Sequence, residues 1–425
     1  MEILIVIIFI LGYLAIAFEH TIQINKAGSA LLTGVLCWTV IALFPQSSDS
    51  LPHEGIASLG HHLSDISSIL FFLLGAMTIV ELIDAHDGFD IITNQIQTTS
   101  KRKLLWIVAF LAFFLSAILD NLTTTIVMAT MLSRLLSDKN DKWMFVSIVV
   151  IAANAGGAWS PIGDVTTTML WIGGQITPMN IILRLIIPSL FCLMVPLILV
   201  SFKIKGTFER SVEQMDDKIK ISVKHRNIIF WAGIGVLLFV PCFKTITHLP
   251  PYMGMLFGLG VLWILSELIH KDADEEDKNS FSVVYALRKV DVPSMLFFLG
   301  ILLAIAAIQS TGQLSELAAY LQTHIKNMNL LVISIGFLSA IVDNVPLVAA
   351  VQSMYDLNVY PTDHYFWESL AYCAGTGGSV LIIGSAAGVA AMGMQKIEFF
   401  WYLKRVSLLA IVGYLAGALV NIYFM

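Results

Sequence analysis

The chain has 425 residues, 57% of them hydrophobic and only 13% charged, with a formal net charge of −6. Soluble domains carry about a quarter charged residues, so this composition excludes one and points to helices packed within lipid. No basic cluster with interleaved aromatics is present, which argues against nucleic acid as a partner.

A crossing helix needs about 20 apolar residues, within a range of roughly 17–25. In chain order the apolar spans are Ile3–Phe18, Ala27–Phe44, Ile66–Ile83, Leu104–Leu136, Trp143–Trp171, Ile181–Phe202, Asn227–Phe243, Tyr252–Leu268, Pro293–Ser310, Leu330–Met354, Tyr365–Met394 and Val406–Phe424. The first follows Met1-Glu2 without a basic n-region or a small-residue cleavage site, so it reads as a mature membrane helix. Two spans are interrupted, Leu104–Leu136 at Asp120-Asn121 and Leu330–Met354 at Asp343-Asn344. Either arm of each is too short to cross alone, which predicts re-entrant hairpins. Their non-helical tips are tolerated at depth only where protein or a wet cavity surrounds them.

The basic residues support this. With both hairpins re-entrant, Lys26, Lys101, Arg102, Lys103, Arg134, Lys139, Lys142, the segment Lys203–Arg226, Lys271, Lys278, Arg288, Lys289, Lys396, Lys404 and Arg405 fall on one side. The opposite segments Pro45–Asp65, Gly173–Asn180 and Asp356–His364 hold no Lys or Arg, and only Lys244 and Lys326 sit on that side. That is a strong positive-inside bias. One hairpin then opens from the cytoplasm and the other from outside. The expected fold is an all-α polytopic membrane protein with two inverted-topology repeats, re-entrant hairpins and broken midplane helices, about ten full spans plus two hairpins. Its parts are an N-terminal membrane helix (residues 1–26), a first repeat (27–202, hairpin 104–136, broken helix 143–171), a cytoplasmic connector with a linking helix (203–251) and a second repeat (252–425, hairpin 330–354, broken helix 365–394). The mixed-charge segment Lys203–Arg226 and the acidic stretch His270–Asp277 read as solvated connectors.

Two phrases carry the chemistry. Ser116-Ala-Ile-Leu-Asp120-Asn121 recurs as Ser339-Ala-Ile-Val-Asp343-Asn344, differing only at Leu119 and Val342. A charge placed in hydrocarbon costs roughly 2.5–3.5 kcal/mol on insertion scales, and intramembrane carboxylates are functional by default. A glycine-rich break follows each hairpin, Asn154-Ala-Gly-Gly157-Ala-Trp-Ser160-Pro-Ile-Gly-Asp164-Val-Thr-Thr-Thr168 and Gly375-Thr-Gly-Gly378-Ser379-Val-Leu-Ile-Ile-Gly384-Ser385. Gly156 follows Asp120 by 36 residues and Gly377 follows Asp343 by 34. Two motifs repeated in the same order at nearly the same spacing are far more specific than either alone.

Glycine and proline free backbone carbonyls in a membrane helix. With Asn154, Ser160, Asp164, Thr166 and Thr167 they offer the oxygen ligands that a hard cation takes. The tip residues also fit a plainer role, Asp and Asn capping the second arm and Ser116 and Ser339 packing between helices. Glu81 lies nearly a turn inside its span and reads either as a proton relay or as an interfacial carboxylate, while Asp291 sits at headgroup level. His53, His61 and His62 lie near Asp65 in the external segment, as solvated loop residues or pH sensors. Trp143, Trp171 and Trp401 read as interfacial anchors. Cys37, Cys192, Cys242 and Cys373 have no metal or disulfide spacing and read as small buried hydrophobes.

These residues resemble a known family. The DN tips, the GG-x-x-x-P-I-G break and the mirrored second half look like the ion transporter superfamily. Within it, Asp120–Thr125 (DNLTTT), Asn154–Thr167 (NAGGAWSPIGDVTT) and Asp343–Pro346 (DNVP) are similar to the NhaD-type sodium/proton antiporters. The resemblance implies a bacterial inner-membrane exchanger of Na⁺ or Li⁺ for H⁺, a homodimer with scaffold and moving domains, and no resident cofactor. By motif position it implicates Ser116, Asp120, Asn121, Asn154, Asp164, Thr166, Thr167, Ser339, Asp343, Asn344 and Ser379, with Asp120, Asn154, Asp164 and Asp343 as ligands of the transported ion. The second break lacks the Asn, Pro and Asp found at positions 154, 161 and 164 of the first, so the half-sites are unequal.

On this reading Asp120 and Asp343 meet at mid-membrane, and with Asp164 they bind either cation or proton. The rival of the same fold is a Na⁺-coupled carboxylate or oxyanion transporter, whose anionic cargo unpaired aspartates would repel. An intramembrane aspartyl protease would need Gly-x-Gly-Asp, but Pro161 occupies the first glycine position before Asp164 and Asp343 has no adjacent glycine. No G-x-x-x-x-G-K-[ST] occurs, which argues against ATP-driven pumping within this chain and leaves a non-enzymatic transporter.

Overall fold

The computed structural model describes residues 2–17, 19–44, 52–93, 96, 98–208, 222–271, 280–325, 327–341 and 343–424. Residues 45–50, most of the Lys203–Arg226 connector, the acidic stretch from residue 272 on, Lys326 and Val342 lie outside them, as do the side chains of His53 and Arg134. The chain forms helices α1 (Glu2–Ala17), α2 (Glu19–Ile22), α3 (Lys26–Leu43), α4 (Pro52–Ala85), α5 (Asp90–Thr93), α6 (Lys101–Leu119), α7 (Asn121–Leu135), α8 (Lys139–Gly157), α9 (Val165–Ile172), α10 (Pro178–Lys203), α11 (Val223–Thr247), α12 (Pro251–Ile269), α13 (Val283–Lys289), α14 (Val292–Ser310), α15 (Gln313–His324), α16 (Met328–Ser339), α17 (Asn344–Met354), α18 (Tyr365–Gly377), α19 (Ala386–Gln395), α20 (Phe399–Arg405) and α21 (Ser407–Phe424). Among the described residues there is no strand beyond one isolated bridge, Ser100 to Thr207. Among the described residues eight helices are long and apolar enough to cross a bilayer.

The spans at 143–171 and 365–394 are not among those eight, because each is broken, into α8–α9 and α18–α19. One expectation is corrected here. The α6 arm has 19 residues and is long enough to cross, because its helix starts at Lys101-Arg102-Lys103 ahead of the apolar run. Arms α7, α16 and α17 are short, with 15, 12 and 11 residues. Arm length therefore does not establish a hairpin at α6; the contacts at its ends do. Lys101 at the start of α6 pairs with Asp141 at the start of α8 at 2.5 Å. The chain from 101 to 141 has returned to the face it left. In the second hairpin, the Tyr365 hydroxyl at the start of α18 donates to Asn329 Oδ1 at the start of α16 (2.8 Å). The start of α18 also lies beside the end of the first broken helix. Beyond α9, Thr177 N and Oγ1 donate to Asp363 at 2.6 and 2.8 Å, and Thr362 Oγ1 donates to the Gly174 carbonyl at 2.7 Å, beside the start of α18.

Glycines let the broken helices touch the hairpins backbone to backbone, in the same way twice. A Cβ on Gly156 would lie 2.1 Å from the Phe113 carbonyl oxygen, and one on Gly377 2.1 Å from that of Gly336. Added at Gly163 or Gly384, it would stand 2.8 Å from the Ser116 carbonyl or 2.6 Å from that of Ala340. Small residues are what membrane helices use to approach closely.

Three further readings change. α4 begins at Pro52, so His61 and His62 lie on a helix, with His61 Nε2 3.9 Å from Asp65 one turn on. Trp143 and Trp171 are buried in protein, not spread at an interface: Trp143 Nε1 donates to the Gln395 carbonyl (2.9 Å), and the Lys244 ammonium lies over the Trp171 ring. Cys242 is exposed, while Cys37, Cys192 and Cys373 are buried.

Replacing Gly156 or Gly377 by Val should lower stability by at least the roughly 1–3 kcal/mol of ordinary overpacking. Gly393→Ala, with open space around it, should melt like the parent in detergent. Equal melting temperatures for all three variants would contradict this account of the contacts.

Candidate functional site

The first tip is strained. Asp120 has φ +99° and ψ 162°, a region left almost entirely to glycine and costing of order 1–3 kcal/mol for another residue. Its carboxylate stabilises the turn by accepting from Thr123 N (2.7 Å) and Thr123 Oγ1 (2.9 Å), thereby capping α7. The second tip is built differently. Asp343 has an ordinary φ of −45° and makes no cap bond to α17. Its Oδ2 lies 3.4 Å from the Lys26 ammonium, and its Oδ1 is buried with no hydrogen-bond partner among the described residues.

The residues after these aspartates bring the two halves together. Asn121 Nδ2 donates to Asp164 Oδ2 at 2.6 Å, and Asn344 Nδ2 reaches both oxygens of the same carboxylate at 3.3 and 3.2 Å. Asp164 is 1% exposed and also caps α9, its Oδ1 accepting from Thr166 N and Oγ1, both at 2.9 Å. Thr167 Oγ1 donates to the Asp164 carbonyl at 2.9 Å. Asp164, not a direct contact of Asp120 with Asp343, is the group on which both tips converge. The Asp120 and Asp343 charges lie close enough for each to act on Asp164 electrostatically.

Asn154 extends the network into the second break. Its Oδ1 accepts from Asn121 Nδ2 at 3.0 Å, and its Nδ2 donates to Ser379 Oγ and Ser385 Oγ, both at 2.9 Å. Ser385 caps α19 through Gly388 N, the position that Asp164 holds at α9. Ser116 and Ser339 do not enter the network. They tie hairpin to broken helix, Ser116 Oγ donating to the Ala153 carbonyl (2.6 Å) and Ser339 Oγ to that of Ala374 (2.7 Å). Ser160 does the same toward Ala117 at 2.5 Å.

Glu81 stands apart. It lines a cavity of about 450 Å³ with Asp84, Asp90, Asp291, Lys289 and Thr123, the residue that holds Asp120. Sequence reasoning missed Lys26 as a partner of Asp343, Ser385 as a partner of Asn154, and the buried, unpartnered hydroxyls of Thr124 and Thr125 in the turn after the first tip. The place of Ser385, one residue after Gly384 as Asp164 is one after Gly163, was the available signal for the second. Among the described residues no group of three His, Cys, Asp or Glu is arranged for a tightly held metal. The donors here are amides, hydroxyls and carboxylates, the oxygen-bearing groups that suit a hard, weakly held cation.

A buried carboxylate at the break of a helix, in an all-helical, multi-pass membrane protein, is an arrangement of the secondary transporters. Known proteins narrow that class. Residues 3–367 match the family model described as "Citrate transporter". Sodium/proton antiporter 1 of Arabidopsis thaliana is 48% identical over 97% of this chain and 70% of its own length. Sodium/proton antiporter 2 of the same plant is 46% identical, with 97% of each chain covered. The Na(+)/H(+) antiporter NhaD of Alkalimonas amylolytica is 29% identical over 98% of this chain and 89% of its own. The chain belongs to this citrate-transporter family of membrane transporters, within its NhaD-type sodium/proton antiporter group. It is a transporter and not an enzyme.

Asn154→Ala and Ser385→Ala should each destabilise by about 1–3 kcal/mol, the penalty for a buried polar group left unpaired. Together they should cost less than their sum, by about 0.5–3 kcal/mol of coupling. Strict additivity in thermal melts would break the proposed link between the halves.

Proposed function

We propose that this protein exchanges Na⁺ or Li⁺ for H⁺ by alternating access at a single site, with Asp164 at its centre and Asp120, Asn121, Asn154, Thr166, Thr167, Asp343, Asn344 and Ser379 around it. The observation that carries the reading is the convergence of the Asn121 and Asn344 amides, one from each hairpin tip, on the Asp164 carboxylate. The names of the plant and bacterial relatives supply the ions.

The chemistry follows from the donors. Without cargo, both amides turn their NH₂ groups to Asp164. A cation reverses that preference, because each amide can rotate to present its oxygen instead. Proton and metal then compete for the same carboxylate oxygens, which couples their movements. Asp120 and Asp343 supply negative charge at the two tips, with Ser116 and Ser339 fixing the hairpins against the broken helices. Glu81 serves as a proton relay along the cavity that reaches Thr123. The two hairpins and their broken helices, within residues 27–202 and 252–425, form the moving parts of two inverted repeats. The protein works as a homodimer in an energised bilayer. That bilayer is a bacterial plasma membrane on the resemblance to NhaD, or its counterpart in a plant cell given the 46–48% identity to plant relatives. No resident cofactor is required.

A second reading, Na⁺-coupled uptake of a carboxylate, takes support from the description of the matching family. The site opposes it. Three aspartates surround the convergence point, and among the described residues Lys26 is the only Lys or Arg paired with any of them. An anion would enter against that charge.

In proteoliposomes with a pH-sensitive dye, NaCl or LiCl should move protons and KCl should define the selectivity. Asp164→Asn and Asp120→Asn should each abolish Na⁺-dependent proton movement. Near-normal exchange in either variant would end this version of the mechanism, and citrate uptake by the parent protein would favour the second reading.

A further inference from the structure

We infer that Lys26 is a tethered counter-cation: its ammonium holds the transported cation's place at Asp343 while the site is empty and leaves when the cation binds. The inference rests on the antiport reading and adds a residue to it.

Four observations carry it. First, Lys26 Nζ lies 3.4 Å from Asp343 Oδ2, with the two side chains only 19% and 11% exposed. Second, among the described residues Asp343 is the one site carboxylate with an oxygen that accepts no hydrogen bond. Asp120 and Asp164 each cap a helix, but Asp343 caps none, and its Oδ1 is buried without a partner. A buried carboxylate half unsatisfied is costly, and a cation seated between its oxygens would relieve it.

Third, the two partners come from segments far apart in the chain that meet in one apolar cluster. Lys26 opens α3, which lies along α14 so closely that a Cβ on Gly34 would be 2.6 Å from the Gly300 carbonyl oxygen. Trp38 Nε1 fastens the same pair of helices to the Leu303 carbonyl at 2.9 Å. Asp343 sits between α16 and α17, and α17 packs through Val345 and Ala349 in the same cluster as Ala27 and Phe297. The ion pair therefore joins the start of α3 to the hairpin tip at the polar end of that contact. Fourth, in the same position the ammonium lies 4.4 Å from the centroid of the Phe297 ring on α14. A lysine displaced from Asp343 can stay over that ring, sheltered from hydrocarbon.

An ammonium and a sodium ion carry the same charge, and two monovalent cations a few ångströms apart repel. Asp343 can therefore complete the cargo's shell only when Lys26 withdraws. Cargo affinity is lowered by the fraction of time the ammonium occupies the carboxylate, as for any site that is only partly available. In the empty state the same ion pair adds a charge contact where α3, α14 and the hairpin tip already pack together.

Exchange in proteoliposomes tests this. Lys26→Gln should lower the apparent KM for Na⁺ by roughly three- to ten-fold, with no matching rise in kcat, and Lys26→Arg should restore the parent KM. A second readout needs no variant. Lys26 of the intact protein is labelled with acetic anhydride in NaCl or in choline chloride at equal ionic strength and read by mass spectrometry. Its labelling should rise with NaCl over the range in which exchange saturates. If Lys26→Gln fails to insert or to exchange, the labelling decides alone. An unchanged KM in an active Lys26→Gln protein, or labelling indifferent to Na⁺, overturns the tether while leaving antiport standing. If the parent protein shows no Na⁺-dependent proton movement, the antiport reading fails and the tether falls with it.

Discussion

The Asp164 carboxylate holds the centre of this protein together. It is almost fully buried, and an isolated charge in that position would be prohibitive. It is stable because four groups donate to it: Thr166 through backbone and hydroxyl, Asn121 from one hairpin tip and Asn344 from the other. Two of those donors arrive on separate chain segments, each of which must stop at a defined depth. The depth of both hairpins is thus tied to one anion. Withdrawing either tip strips the carboxylate of a donor, so the halves are energetically linked through it.

Getting polar backbone to that depth imposes the second constraint. The tips and breaks expose amide groups that lipid cannot satisfy, so they must be enclosed by protein. Glycine at 156, 163, 377 and 384 permits the enclosure, because any side chain there would strike a hairpin carbonyl. The strain at Asp120 belongs to the same geometry. Glycine would adopt that backbone without penalty, yet the chain keeps a residue whose side chain holds Thr123 and adds a negative charge near Asp164. Strain retained at one half-buried acidic position is the pattern expected where side-chain chemistry outweighs local stability.

Much of this was legible in the residues. The hydropathy and the doubled SAI-x-DN phrase indicated helices, breaks and their pairing, since charge in an apolar run and repetition are both local signals. What stayed hidden was which acid is central. Asp120 and Asp343 stood out because they repeat, whereas Asp164 has serine as its counterpart at 385. Lys26 escaped notice for a similar reason. A lysine at the edge of an apolar span reads as a topology signal, and only the packing of α3 against α14 carries it to a hairpin tip more than 300 residues away. Trp143 and Trp171 were misread because hydropathy cannot separate a helix end facing lipid from one facing another helix.

The inequality of the halves bears on what the site can carry. Where the first break places Asp164, the second places Ser385; where the first tip caps its helix with Asp120, the second leaves Asp343 turned to Lys26. Two equal half-sites would offer two equivalent anionic pockets across the pseudo-symmetry. This arrangement offers one buried anion with neutral amides and hydroxyls around it and two flanking carboxylates, one held by a threonine and the other by an ammonium. With every aspartate ionised, the three carboxylates and one ammonium leave a net charge of −2 in a region that tolerates little net charge. Only cations can bring that toward balance. A proton removes the charge of one carboxylate and a monovalent metal is shared among several, so either can fill the deficit. On the proposed reading an anionic cargo would deepen it, so the charge balance of this cluster favours a cation over an anion.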